Sequence, residues 1–137
     1  MRGRGRAAGA LLAATTLVLG ATAPAAAQAA KPSYLPYVEF SPQDTAPQVT
    51  AKQTYNEAVL RYNQTLYDYH VTLEQHDQLV ELYNNGSISP ADRQKARDQA
   101  VQLRTKLNAL RREVTSRAAA RDEAARRAAA TGVIFTP

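Results

Sequence analysis

The chain has 137 residues, no cysteine, no tryptophan and a formal net charge of +5. That length holds one small domain. Without cysteine there is no disulfide staple, no thiolate metal site and no cysteine nucleophile, so the fold must stand on packing alone.

Residues 1–29 read as a secretory signal peptide. Arg2, Arg4 and Arg6 make a charged leader, and an apolar run from Ala7 to Leu19 follows. That run fits the roughly 7–15 residues of a signal core. Ala25-Ala26-Ala27 and Ala27-Gln28-Ala29 both satisfy the small-x-small cleavage rule. A retained anchor is the alternative, but the run falls short of the roughly 20 residues a spanning helix needs. The expectation is export to the cell envelope or exterior, with no membrane span in the mature chain.

Removing the three leader arginines leaves 14 basic and 12 acidic side chains, and these are sorted. Lys31 to Gly86 carries a net −4, and Ser87 to Pro137 a net +6. Opposite signs favour the two halves folding on each other.

Residues 30–46 form a proline-rich arm. Pro32, Pro36 and Pro42 forbid a regular helix and favour extended backbone. Tyr34, Leu35, Tyr37, Val38 and Phe40 lie between them, too much apolar surface for a plain solvated linker. The arm either packs onto the helices or is a recognition segment that docks on a partner.

A helix is expected over 47–84. Thr45 caps it, Pro47 is tolerated in its first turn, and Gln48 completes a capping box. Asn84-Asn85-Gly86 offers residues that accept the left-handed conformation ending a helix. Along it, Tyr55, Val59, Tyr62, Leu66, Tyr69, Leu73, His76, Val80 and Tyr83 alternate steps of four and three, a heptad seam. Residues 85–89 form the loop. A second helix spans 90–131, with Ser89 as cap, Pro90 at its first position and Asp92 suiting its positive end. Its seam reads Ala96, Ala100, Leu103, Leu107, Leu110 and Val114, then Arg117, Arg121, Ala124 and Ala128. Gly132 ends it, and residues 132–137 are an apolar tail that folds back or frays.

Two long helices and a short loop make an antiparallel hairpin. Centring the pair on residue 88 sets Val80 against Ala96, Leu73 against Leu103, Leu66 against Leu110 and Tyr62 against Val114. The same register sets Val59 against Arg117 and Tyr55 against Arg121. Either these arginines stack on tyrosine faces, or the phase slips and Ala118 and Ala125 turn inward. Leu60, Tyr67, Leu79 and Leu82 lie off the seam. They need cover from the arm, the tail or a second copy, which makes a homodimeric four-helix arrangement an open alternative.

No nucleophile elbow, phosphate loop or zincin motif is present, and no serine has a reason to be activated. His70, Glu74, Asp77 and Glu81 share a helix face. They lack the Glu-x-x-His pattern of carboxylate di-metal bundles and any matching stripe on the second helix, so they read as a solvated acidic face. No enzyme activity, cofactor or metal is expected. The tract Arg111, Arg112, Arg117, Arg121, Arg126 and Arg127 could follow nucleic acid, a wall polymer or anionic lipid. Asp122 and Glu123 interrupt it, and no aromatics are interleaved.

Ile88-Ser89-Pro90-Ala91-Asp92-Arg93-Gln94 resembles the helix starts of small exported helical stress chaperones of the Spy/CpxP type. Ile88-Ser89 stands where those carry Leu-Thr, Asp92 stands in their glutamine position, and the motif occurs once rather than twice. The resemblance implies holding of unfolded clients.

The sequence therefore specifies an all-α protein, a coiled-coil-like antiparallel two-helix hairpin with an extended proline-rich N-terminal arm. The expected role is non-enzymatic, as an interaction or structural protein binding a protein partner or itself. Its expected surface is Tyr55, Tyr62, Arg117 and Arg121 with Tyr34, Tyr37 and Phe40 from the arm, since binding surfaces favour tyrosine and arginine. The alternatives are polyanion binding through Arg111, Arg112, Arg126 and Arg127, or chaperone-like holding.

Overall fold

A computed structural model describes residues 33–135. The expected signal peptide, the first residues of the arm and the end of the tail lie outside the described residues. Two helices, α1 (Ala46–Asn84) and α2 (Pro90–Ala130), pack against each other as a hairpin.

Each helix starts where its capping residues dictate. Thr45 Oγ1 accepts from the Gln48 N–H and Gln48 Oε1 accepts from the Thr45 N–H, a complete capping box. At α2, Ser89 Oγ accepts from the Asp92 N–H at 3.1 Å and donates to the Asp92 carboxylate at 2.8 Å. The ends differ from each other. α1 stops without a left-handed residue: Asn85 has φ −72° and ψ 114°, and Gly132 is the one glycine with positive φ among the described residues. The Asn85 side chain makes the turn instead, accepting from the Ser87 N–H at 2.9 Å. At the end of α2, Gly132 (φ 93°) donates to Ala129 O, and Val133 donates to Ala128 O. That pair of bonds is a Schellman motif, and it buries Val133.

Every seam position in both helices is buried or half-buried. Val59, Leu73, His76, Ala96, Ala100, Leu107, Ala124 and Ala128 are the buried ones. Ala124 and Ala128 lie in the unbroken phase, so the heptad pattern continues through the two arginines without slipping; Ala118 and Ala125 are half-buried beside it. Thr65 and Thr72 are buried just off the seam, where the Thr65 hydroxyl donates back to Arg61 O at 2.9 Å. Lys52, one heptad before Val59, is buried as well.

The tail folds back. Phe135 lies against Tyr55 with ring centroids 4.7 Å apart, and Gln48 Nε2 donates to Thr131 O at 3.1 Å. One glutamine thus caps the start of α1 and holds the end of α2. Among the described residues no helix is long and apolar enough to cross a membrane.

Candidate functional site

The arm is fixed to α1 by side chains spaced along one helix face. Asn63 Oδ1 accepts from the Leu35 N–H, and Asn63 Nδ2 donates to Leu35 O, both at 2.9 Å. Asn56 does the same to Val38, at 2.8 and 2.9 Å. Each carboxamide presents one acceptor and one donor, which is what a neighbouring strand presents to an extended backbone. The geometry closes because the periods match. Seven helix residues rise about 10.5 Å, and three extended residues advance roughly 9–10 Å. The arm therefore runs antiparallel to α1, residue 35 at residue 63 and residue 38 at residue 56.

Further along, Lys52 Nζ donates to Glu39 O at 2.9 Å and to both Asp44 carboxylate oxygens at 2.8 and 2.7 Å. Lys52 is only 8% exposed, and these three acceptors satisfy all three of its donors. The Lys52 ammonium, with the Ser41 N–H second, holds the Asp44 carboxyl below its ordinary range. A charge at a seam position is tolerated because the arm brings the counter-charge to it.

Clamping fixes which way the arm's side chains face. Leu35, Val38 and Ser41 are half-buried, while Tyr34, Tyr37 and Phe40 are 48%, 52% and 52% exposed. The burial repeats every third residue, so the three aromatics form a row on the outer side. At one end of the row Tyr34 lines a shallow groove of about 570 Å³ with Asn63, Gln64, Tyr67 and Asp68 of α1. Leu60, also exposed, shares the helix face of Asn56, Asn63 and Tyr67.

The expected binding residues of the hairpin take different partners. Tyr62 and Arg121 are brought together, the guanidinium 5.2 Å from the ring centroid, whereas Tyr55 is taken by Phe135. The register reading placed Arg121 on Tyr55, and helix geometry explains the difference. Side chains lean toward their own helix's N-terminus. Arg121 therefore leans toward the loop and reaches Tyr62, while Tyr55 leans toward the open end and meets the tail. Arg117 bonds Glu113 at 3.2 Å. Tyr34 lines its groove with Asn63, Gln64, Tyr67 and Asp68, and with none of Tyr55, Tyr62, Arg117 and Arg121.

The basic tract is largely paired within its own helix. Glu123 accepts from both Arg126 and Arg127, at 2.7 and 2.9 Å, and Arg121 bonds Asp122. Arg126, then Arg127, holds the Glu123 carboxyl below its ordinary range. Arg111 and Arg112 are exposed. No three His, Asp or Glu side chains among the described residues stand close enough to hold a metal ion. His70 is half-buried, and burial lowers its pKa.

The role of Asn56, Asn63 and Lys52 in holding the arm was not read from sequence. Their signal was a heptad spacing of asparagines opposite a segment with apolar residues three apart, together with a lysine one heptad before Val59. No family model, curated protein or solved structure matches the chain.

Proposed function

We propose that this protein is an exported, non-catalytic binding protein whose working surface is the outer face of the clamped arm. One observation carries the reading: Tyr34, Tyr37 and Phe40 stand in a row, about half exposed, on a segment whose backbone is held at three points. Large rings cost little conformational entropy to immobilise, and a pre-ordered backbone costs less still, so such a row is suited to binding. The hairpin serves as the rigid support. Exposed Tyr67 and Leu60 extend the surface onto α1.

Fractionating the source cells tests this. The protein is expected in the envelope or outside the cell, shortened at its N-terminus, with a share retained on the envelope. Replacing Tyr34, Tyr37 and Phe40 with serine should release that share into the medium while helicity is unchanged. Unaltered retention of the triple variant, or an uncut protein inside the cell, would overturn the reading. A salt wash addresses the polyanion alternative, because phosphate-type contacts weaken steeply with salt and ring stacking does not.

A further inference from the structure

We infer that the groove between Tyr34 and Tyr67 is a glycan site, and that the aromatic row continues it as a platform for an extended β-1,4-linked polysaccharide; this names the ligand class of the surface proposed above and rests on that reading. Three features of the groove carry it. The first is its composition, two half-exposed tyrosines flanking Asn63, Gln64 and Asp68. A sugar ring has an apolar C–H face and a rim of hydroxyls, so it needs a ring to lie on and amide or carboxylate groups to meet the rim. Tyrosine supplies an apolar face and a polar tip in one side chain.

The second is that the polar groups are idle. Gln64 and Asp68 are exposed, and neither they nor the two tyrosine hydroxyls hydrogen-bond elsewhere among the described residues. Asn63 is held in place by its two bonds to Leu35 and retains one donor and one acceptor site. The lining carries one carboxylate and no cation, which favours a neutral ligand and repels a phosphate-bearing one.

The third is spacing. Tyr34, Tyr37 and Phe40 follow one another at roughly 9–10 Å, three extended residues per step. In a β-1,4-linked chain successive sugars are turned over, so every second ring offers the same face. Those like faces recur at close to the same interval. An α-linked chain coils and does not match a straight row.

The test is titration of the purified protein with β-1,4-linked hexamers of glucose and of N-acetylglucosamine, read by calorimetry and tyrosine fluorescence. An α-1,4-linked glucose hexamer is the control. Saturable binding of one β-hexamer at or below about 1 mM is expected, with at least about tenfold weakening in Tyr34→Ala and in Tyr67→Ala. Both side chains are exposed, so both variants should keep their circular dichroism. Phe40→Ala should weaken the hexamer and leave a disaccharide unaffected, because a disaccharide is too short to reach from Tyr34 to Phe40. No binding of either β-hexamer, equal binding of the α-hexamer, or binding indifferent to Tyr34→Ala would overturn the inference. If envelope retention still depends on the arm in that case, the surface stands and its ligand is of another class. If retention does not depend on the arm, the surface itself falls.

Discussion

At the scale of single residues, two asparagines and a lysine decide where the arm lies. Asn63→Ala removes two hydrogen bonds to Leu35 and leaves its N–H and C=O to solvent, a loss of about 1–3 kcal/mol confined to the arm. Amide hydrogen exchange should show Leu35 unprotected in the variant, with Val38 still held by Asn56. Persistent protection of Leu35 would mean that packing, not the clamp, fixes the arm. The Lys52–Asp44 contact adds a pH dependence. The folded-state pKa of Asp44 lies below its ordinary value, so the stabilisation is fully present above the ordinary carboxylate range. It is lost as pH falls through the folded value. Arm protection should thus be level from about pH 8 to 5 and decline below about pH 4, near where a free aspartate titrates. Asp44→Asn should abolish that decline.

At the scale of elements, the helices were legible from the chain and the arm only in part. Thr45, Ser89 and Gly132 act through local rules that a sequence displays, and every position of the four-three seam is buried or half-buried, while buried Lys52, Thr65 and Thr72 lie outside the seam as read. Arg121 and Tyr55 found other partners because side-chain lean is a three-dimensional property that a pairing register ignores. The arm's extended, aromatic-bearing character was legible, but the asparagines that orient it were not, since a polar residue beside a seam usually faces water. Gly132 is the sharpest check on the end of α2. At φ 93° an alanine is strained by about 1–2 kcal/mol, and its Cβ would sit 3.3 Å from Gln48 Nε2. Gly132→Ala should therefore lower the melting temperature by about 4–8 °C per kcal/mol lost and loosen Phe135 from Tyr55. Gly86, whose surroundings are open, should tolerate the same change.

At the scale of the molecule, a hairpin of two helices buries little, and the arm and tail supply cover that a third helix gives elsewhere. Val59 is fully buried although the described residues form two helices. On the helices Leu60, Tyr67, Leu82 and Val101 stay exposed, spread over both, and the arm's aromatic row and Ile134 are exposed beside them. The protein is expected to be monomeric, with a mass by light scattering that does not change with concentration. A dimer that Tyr67→Ser and Phe40→Ser dissociate would reassign the aromatic face to self-association. Leu107, near the centre of α2, is almost wholly buried and is among the largest fully buried side chains. Leu107→Ala should cost about 2–5 kcal/mol and bring the fold close to its unfolding threshold. The clamp has one more consequence, for how the protein can change over time. Asn56 and Asn63 grip main chain, and main chain is common to all residues, so the clamp itself makes no demand on the side chains at positions 34, 37 and 40. Mutation can rewrite that row while the scaffold beneath keeps its shape, and a library randomised at those three positions would sample new specificities on one unaltered frame.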